Sequence, residues 1–540
     1  MIKQKYGVVY TPGSLSQFVA TLLKRVADEE KKKIDVIIDP ASGECSLLRA
    51  ARSLFGANRQ YIGIDIDIDA VNETKDEFTV FYNDAILPRN TKRKPVEYWS
   101  NKLPCIDAVI ANPPWSSEKI YERTTLQNAG YTLISGQYDS YVLFIELAYK
   151  LLCENGLMAF IIPDSLFDAQ NKELRQFLVE KSQIKIIARL GEKIFDEVNR
   201  ATTVIVCKKS IPSDDDTTMC FRLSTDDRKE YLAGKNTLLT FFDRNYHVVK
   251  QARFKKNISY NFDIDTHSNE EQLLSKLTSK IIDWRKTFSF GRGVEISKTG
   301  KIVYCSYCNF AQGYKKKQFE DGRKKCINCG HEIAVNPSTV HNIVTRESDD
   351  ENTLIFVGEN IQRYGITGEY YIRPDIEGIN YKNISLYAPP KLLIRKTGLG
   401  IYGAIDYTGS MTSQTVYILK YADKADKTPL EYYLALINSR VVYYYYLKVY
   451  GENEWKSHPY LTKQIIFTLP IRPYTASSID QEIIRLSSML MQNYNYQTDM
   501  ELERLIMKKY DLTTDEKALI VSEMNRLPDL SAVNNMKVEV

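Results

Sequence analysis

The chain has 540 residues, of which 44% are hydrophobic, and its 72 basic and 68 acidic residues give a net charge of +4. This length predicts about three or four domains of ordinary globular composition. The sequence has neither an apolar run near the roughly 18 residues of a membrane span nor a signal peptide, which predicts a cytoplasmic protein with no membrane association. Nine cysteines are too few and too scattered for a disulfide framework, and their odd number fits a reducing compartment.

The first predicted element is a helix. Apolar side chains recur at helical spacing over residues 14–28, and Tyr10-Thr11-Pro12 comes directly before them. Proline suits the start of a helix because the first helical N–H groups have no partner within the helix. Alone, this segment predicts only an amphipathic helix.

Four apolar segments that follow predict strands, and each strand ends at a polar residue. The segments span residues 35–39, 61–65, 78–82 and 106–110, and they end at Asp39, Asp65, Asn83-Asp84 and Asn112. After the first strand, Pro40-Ala41-Ser42-Gly43 forms a turn of small residues that lets a ligand approach the backbone. Since carboxyl ends of parallel strands meet at one edge of a sheet, these residues predict one ligand cleft.

The fourth strand stops at Asn112-Pro113-Pro114-Trp115, which we call the NPPW corner. Two consecutive prolines allow neither further strand pairing nor a helix, so the corner is rigid. An amide, carbonyls and a large aromatic ring can accept hydrogen bonds from an exocyclic amine and stack on its ring. We interpret the corner as the site of a flipped adenine, although amino-methyltransferases acting on cytosine N4 or glutamine N5 have similar corners.

The order of these motifs resembles that of the gamma-class adenine-N6 DNA methyltransferases. The resemblance implies that Thr11 contacts the methionine carboxylate of S-adenosylmethionine, that Asp39 and Gly43 hold its methionine part, and that Asp65 and Asp84 bind its ribose and adenine. The full set of cofactor residues that it implies is Tyr10, Thr11, Pro12, Asp39, Ala41, Gly43, Asp65, Asp84 and Asn112.

The same resemblance assigns catalysis to Asn112, Pro113, Pro114 and Trp115, and it places Phe195 beside the target base; core packing is the alternative for Phe195. One position departs from the family, which usually has glycine where this chain has Cys45. A helix over residues 141–152 and strands over 156–163, 184–190 and 201–207 complete the expected domain.

Two cysteine pairs in the second half predict a metal site. Cys305 and Cys308 precede Cys326 and Cys329 by the spacing typical of four-thiolate zinc sites. Four cysteine ligands leave no open position for catalysis, so the sequence predicts a structural zinc ribbon over residues 303–332.

Basic residues accumulate around this ribbon. Residues 283–325 contain eleven basic and four acidic side chains, a net charge of +7 that the whole-chain average conceals. Such a concentration favours nucleic-acid binding.

Residues 285–475 resemble the TaqI-like C-terminal specificity domain of adenine methyltransferases. The pattern predicts strand-and-turn units at 358–364, 393–398 and 412–417, followed by a helix over 432–439. The candidate DNA contacts in this region are Arg292, Arg395, Lys396, Ser413 and Gln414. A helical tail over residues 479–510 is a candidate for docking a partner.

The sequence thus predicts an α/β protein in three parts. A Rossmann-like class I S-adenosylmethionine-dependent methyltransferase domain (1–245), with a mixed, mostly parallel seven-stranded sheet, precedes an α+β target-recognition domain (246–475) with the zinc ribbon and a helical tail (476–540). We expect methylation of adenine N6 in double-stranded DNA, in a restriction–modification or phage-defence system.

Since the cofactor motif begins near residue 10, any restriction endonuclease or defence subunit is expected to be a separate protein of the same bacterial, archaeal or phage origin. The alternatives are an RNA or protein amino-methyltransferase and a catalytically silent DNA-targeting subunit.

Overall fold

The computed structural model describes residues 11–115, 121–136, 138–195, 200–297, 299–313, 321–423, 425, 427–451 and 460–538. The chain forms two compact units. The first comprises residues 1–271 and 448–457, and the second comprises 272–447 and 458–540.

Within the described residues, nine strands of the first unit form one sheet. They are β1 (Val36–Asp39), β2 (Gln60–Asp65), β3 (Thr79–Tyr82), β4 (Ile106–Ala111), β5 (Leu152–Pro163), β6 (Gln183–Gly191), β7 (Thr202–Lys208), β8 (Thr217–Arg222) and β9 (His247–Lys250). Their order in the sheet is β3-β2-β1-β4-β5-β7-β6-β8-β9. Strand β7 runs antiparallel to both of its neighbours, and β9 runs antiparallel to β8. The predicted mixed, mostly parallel sheet is therefore confirmed.

Helices cover both faces of this sheet. They are α1 (Gly13–Glu29), α2 (Ser46–Phe55), α3 (Ile68–Thr74), α4 (Pro95–Ser100), α5 (Arg123–Ala129), α6 (Tyr141–Leu151), α7 (Lys172–Lys181), α8 (Thr225–Leu232), α9 (Leu238–Asn245) and α10 (Ala252–Lys256). In β1, Ile37 packs with α1, α2 and α9, whereas Val36 and Ile38 pack with α4, α6 and α7. The near-continuous apolar strand sequences follow from this two-sided burial.

In the part of the chain that the structure describes, the sheet has two strands beyond the seven expected. Strands β8 and β9 lie in a region to which the sequence pattern assigned no strand. The expectation that β7 is the last strand of the sheet is therefore wrong. The acidic run 214–216 forms the turn into β8, where Asp216 accepts a hydrogen bond of 2.6 Å from the Ser213 N–H. Neither strand has a long apolar run, and they are identified by the pairing of β8 with β6 and of β9 with β8.

The second unit combines small sheets with helices, as an α+β domain does. Its strands are β10 (Phe288–Arg292), β11 (Lys301–Tyr304), β12 (Ala311–Gly313), β13 (Arg323–Lys325), β14 (Glu332–Ala334), β15 (Val340–Asn342), β16 (Val344–Thr345), β17 (Thr353–Phe356), β18 (Tyr370–Ile372), β19 (Lys391–Arg395), β20 (Gly403–Asp406), β21 (Met411–Thr412) and β22 (Val416–Tyr421). They form sheets in the orders β10-β22-β19-β20, β16-β18-β17-β21, β12-β11-β15 and β13-β14.

Helices α11 (Glu271–Thr278), α12 (Trp284–Thr287), α13 (Leu430–Ile437), α14 (Arg440–Tyr450), α15 (Lys463–Ile466), α16 (Ser478–Gln492), α17 (Tyr496–Lys509) and α18 (Thr514–Asn525) follow in chain order. The predicted strand-and-turn unit at 358–364 is instead a 3-10 turn, Gly358–Asn360. The predicted helical tail over residues 479–510 forms two helices, α16 and α17, and the Asn495 side chain starts α17 by accepting a hydrogen bond from the Thr498 N–H.

Buried ion pairs fix this tail within the second unit. Arg363 and Arg440 both bind the carboxylate of Asp499 on α17, the latter at 3.0 Å. Glu503, one turn later, accepts a hydrogen bond of 2.9 Å from the Arg440 N–H. The apolar side chains Ile483, Leu486, Leu502 and Ile506 are all buried. The tail's apolar face is thus buried within its own unit, and docking of a partner by the tail stays a prediction.

Two further findings bear on the composition. No helix among the described residues is long and apolar enough to cross a membrane. A disulfide joins Cys105 to Cys153, a pairing that the cysteine pattern did not predict.

Candidate active site

The carboxyl ends of β1 to β4 meet at one cavity. Its volume is about 280 Å³, and Asp39, Asp65, Asp84 and Asn112 all line it. Parallel pairing sets this arrangement, since Asp39 lies beside Gly63 in β2 and the neighbouring strands keep the same direction. The expectation that four strand ends form one cleft is therefore met in the structure.

The turn after β1 closes around two of these carboxylates. The Gly43 N–H donates a hydrogen bond of 2.7 Å to Asp65, and the Ala41 N–H donates one of 3.0 Å to Asp39. Cys45 adopts the left-handed conformation, with φ of 60°, and its side chain is buried. A residue other than glycine pays about 1–2 kcal/mol there, which explains why glycine suits this position.

Burial controls the charge of the acidic residues. It raises the pKa of Asp39 to about 8, an effect to which the neighbouring Asp65 carboxylate adds, although the Ala41 N–H opposes it. Burial also raises the pKa of Asp65 and of Asp84. The cavity thus holds carboxyl groups whose ionisation depends on what binds beside them.

Hydrogen bonds hold the NPPW corner from several sides. The Asn112 side-chain N–H donates to the Thr11 hydroxyl at 3.1 Å, and the Trp115 indole N–H donates to the Ile161 carbonyl at 3.3 Å. The Ser140 hydroxyl donates to the Pro114 carbonyl at 2.5 Å, and the Arg200 guanidinium donates to the Trp115 carbonyl. The corner is thus fixed by contacts from distant parts of the chain.

Trp115 and Phe195 form an aromatic wall of the cavity. Their ring centroids lie 5.3 Å apart, with planes at 86°, and both rings line the cavity. Phe195 is only 3% exposed and also packs in the core beneath the sheet. The base-side and core-packing interpretations of Phe195 are therefore compatible.

Among the cavity residues that were not singled out from the sequence, three hold its functional groups by hydrogen bonds. Tyr121 donates a hydrogen bond of 2.9 Å to Asp84, while Ser140 and Arg200 hold the corner. None belongs to a recognisable motif, and only the fold brings them to the site. Of the N-terminal trio, Thr11 lines the cavity, Pro12 precedes α1, and Tyr10 lies outside the described residues.

The four predicted metal ligands form one cluster in the second unit. Cys305 and Cys308 follow β11, Cys326 and Cys329 follow β13, and all four sulfur atoms lie within 4.8 Å of one another. The Cys305–Cys329 and Cys308–Cys326 sulfur distances are 3.5 and 3.7 Å. Tetrahedral zinc with bonds of about 2.3 Å requires sulfur atoms about 3.8 Å apart, so the cluster fits this metal.

The five predicted DNA contacts separate into two groups. Arg292 and Lys396 share one region, whereas Arg395, Ser413 and Gln414 make contacts within the second unit. Arg292 on β10 pairs with Tyr417 on β22, whose ring lies 5.9 Å from the Lys396 ammonium, so Arg292 and Lys396 share one region. Arg395 instead donates to the Thr397 carbonyl at 2.6 Å.

The other two polar candidates make internal contacts. Ser413 is 1% exposed, and its hydroxyl lies 2.6 Å from that of Thr415. The Gln414 amide donates to the Ile296 carbonyl at 3.0 Å. Their contacts support the second unit.

Comparisons with known proteins agree with this geometry. Type II methyltransferase M.AccI of Acinetobacter calcoaceticus is 24% identical over 217 residues, which are 38% of this chain and 37% of that protein. Type II methyltransferase M.TthHB8I of Thermus thermophilus is 25% identical over 196 residues, which are 34% and 41% of the two proteins. The match thus spans less than half the length of these relatives.

A solved structure extends the likeness in fold to both units. The nuclease-deletion mutant of the Type ISP restriction-modification enzyme LlaGI, in complex with a DNA substrate mimic, has a TM-score of 0.55 at 14% identity. The similarity covers 91% of this chain and 55% of that one. Residues 353–471 match the TaqI-like C-terminal specificity domain, and residues 2–276, more than half of the chain, match N-6 DNA Methylase. The chain therefore belongs to the N-6 DNA methylase family.

Proposed function

We propose that this protein transfers a methyl group from S-adenosylmethionine to N6 of an adenine flipped out of double-stranded DNA. The observation that carries the proposal is the NPPW corner, fixed at the mouth of a cavity that three strand-end carboxyl groups also line. Family membership supports the reaction class, and the specificity-domain match supports DNA as the substrate.

The cavity has groups suited to each part of the cofactor. The Thr11 hydroxyl, the Asp39 carboxyl group and the turn with Ala41 and Gly43 would hold the methionine part. Asp65 suits the ribose hydroxyls, and Asp84 suits the adenine amine. When bound, S-adenosylmethionine supplies an electrophilic methyl group.

The NPPW corner prepares the adenine amine for reaction. Because the Asn112 nitrogen donates to Thr11, the amide oxygen is the atom that can accept an amine proton. The Pro113 carbonyl is a second acceptor, and no described residue donates a hydrogen bond to it. Two accepted hydrogen bonds favour a more tetrahedral, more nucleophilic nitrogen.

The remaining contribution is positioning. Good orientation of the reacting groups can contribute roughly 7–11 kcal/mol. Stacking on Trp115 would offset part of the few kcal/mol needed to unstack the base. This direct transfer needs neither a covalent intermediate on the protein nor a histidine or cysteine nucleophile.

We further propose that Cys305, Cys308, Cys326 and Cys329 hold a structural zinc ion and that the surrounding domain recognises DNA. The sulfur spacing supports zinc. The catalytic part would extend past the predicted boundary near residue 245 to include β9, and the predicted tail from residue 476 would belong to the recognition part. A role in restriction–modification or phage defence, with a separate restriction or defence subunit, follows from this activity.

The test supplies methyl-labelled S-adenosylmethionine to the purified chain with double-stranded DNA of varied sequence, RNA or protein. We expect label in DNA only. Label in RNA or protein instead would favour the corresponding amino-methyltransferase, and binding of cofactor and DNA without transfer would identify a silent targeting subunit. Either result would refute the proposal.

A further inference from the structure

One face of the second unit combines aromatic rings with basic side chains. It is built from β10, β22, the end of β19 and α15. Side chains alternate along a strand, so Phe290 and Arg292 of β10 point to the same side of the sheet. The Phe290 ring contacts Tyr417 of β22 and Phe467 just after α15, with centroid distances of 4.9 and 5.5 Å. We call this surface the β10 face.

The β10 face contains an open cleft. Its volume is about 580 Å³, and Phe290 and Phe467 form its half-buried aromatic lining. The side chains of Arg285 and Lys463, both exposed, stand at the same cleft. Such a cleft offers apolar surface and positive charge together.

The cations lie over the rings. The Lys463 ammonium is 5.1 Å from the Phe290 centroid and 5.3 Å from that of Phe467, and the Arg285 guanidinium is 5.6 Å from Phe467. The Lys396 ammonium lies 5.9 Å from the Tyr417 centroid. These contacts already order the basic side chains, so binding an anion there costs little further side-chain entropy.

Negative charge is scarce on this face. Within the described part of the chain, no carboxylate lies at ion-pair distance from Arg285, Lys396 or Lys463, whereas Arg292 pairs with Glu295 at 2.8 Å. Burial lowers the pKa of Lys396, and the positive charge of Arg292 lowers it further. Bringing such cations together is unfavourable until an anion binds.

We propose that the β10 face binds the sugar–phosphate backbone of double-stranded DNA, with Arg285, Lys396 and Lys463 meeting phosphates and Phe290 and Phe467 packing against deoxyribose. The proposal rests on the proposed function. It keeps Lys396 from the predicted contacts and adds Arg285, Lys463, Phe290 and Phe467, and it gives them a sequence-independent part of DNA binding. Contacts of this type position the duplex without reading its bases.

Salt dependence of DNA affinity tests the assignment. Each phosphate contact contributes about 0.9 to the slope of log affinity against log salt concentration. The double variant Arg285→Gln/Lys463→Gln should therefore lower the slope by about 1.8, equally for methylatable and non-methylatable duplexes. Both side chains are exposed, so folding should be unaffected, and thermal unfolding checks this.

The matched control removes the same two charges from the exposed face of α17. The variant Arg504→Gln/Lys508→Gln should keep the wild-type slope. An unchanged slope in the Arg285/Lys463 variant, or equal changes in both variants, would overturn the assignment while leaving methyl transfer intact. A wild-type chain that binds no duplex at all would instead contradict the proposed function, and with it the inference.

Discussion

Asn112 is the residue on which the proposed chemistry depends most. Its amide nitrogen donates to Thr11, across 101 positions of sequence, and this contact sets the direction of its oxygen. The sequence predicts the residue and its place at a strand end. It cannot predict the Thr11 contact, because a hydrogen bond over this separation depends on the complete sheet.

We expect Asn112→Ala to lower the rate of methyl transfer by at least about 100-fold, since a positioned hydrogen-bond partner of the reacting group typically contributes this much. Cofactor affinity should remain largely unchanged. Single-turnover transfer of labelled methyl, with equilibrium cofactor binding alongside, measures both. The control is Asn101→Ala, an exposed asparagine after α4. Transfer by Asn112→Ala at near wild-type rate would refute this role.

Asp39 gives the site a pH dependence of known sign. With a pKa raised to about 8 by burial, this carboxyl group is mostly protonated at pH 7 when no cation lies beside it. A positively charged cofactor stabilises the ionised form and lowers this pKa. Binding at pH 7 should therefore release roughly one proton, and affinity should rise from pH 6 to 8 and then level off.

Calorimetry of cofactor binding in buffers of different ionisation enthalpy counts these protons. The Asp39→Asn variant lacks this carboxyl group but keeps Asp65 and Asp84, whose pKa burial also raises, so it should release about one proton fewer than the wild type. If wild type and variant release equal numbers of protons, Asp39 does not contact the cationic part of the cofactor.

Among elements, those with long apolar runs were predicted best. Strand β4 was expected at 106–110 and spans Ile106–Ala111, and helix α6 was expected at 141–152 and spans Tyr141–Leu151. Strands β8 and β9 were missed because their sequences contain only three and two consecutive apolar residues, and their pairing partners lie elsewhere in the sequence. A local sequence pattern predicts a strand or helix only when the residues of that element are themselves largely apolar and buried.

The hairpins β11–β12 and β13–β14 each carry two of the four cysteines, and a shared metal ion would explain why these hairpins lie together. Each places two thiols in the turn between short strands, and the cluster around them has few apolar residues. We expect about one zinc ion per chain. Loss of the metal, by chelation or by Cys326→Ser, should weaken DNA recognition before it affects cofactor binding, because the cluster lies in the second unit.

Metal analysis of the purified chain and separate titrations with DNA and cofactor measure these effects. Ser306→Ala, an exposed change in the turn between Cys305 and Cys308, is the control and should leave zinc content unchanged. Equal loss of DNA and cofactor binding on chelation would contradict a role confined to the second unit.

For the molecule as a whole, the sequence motifs located the cavity but not all of its walls. Asp39, Asp65, Asp84 and Asn112 were predictable because each ends a recognisable strand. Ser140 and Arg200 were not, because neither belongs to a motif and both reach the corner only in the folded chain. The DNA contacts were the least predictable, because exposed basic residues carry no pattern that separates binding from solvation.

Nucleoside analysis of methylated DNA tests the central claim most directly. After incubation of the chain with DNA and S-adenosylmethionine, the DNA is digested and its nucleosides are separated by chromatography with mass detection. We predict N6-methyldeoxyadenosine from wild type and none from Asn112→Ala. The appearance of N4-methyldeoxycytidine, or of no methylated nucleoside from any adenine-containing duplex, would contradict this account.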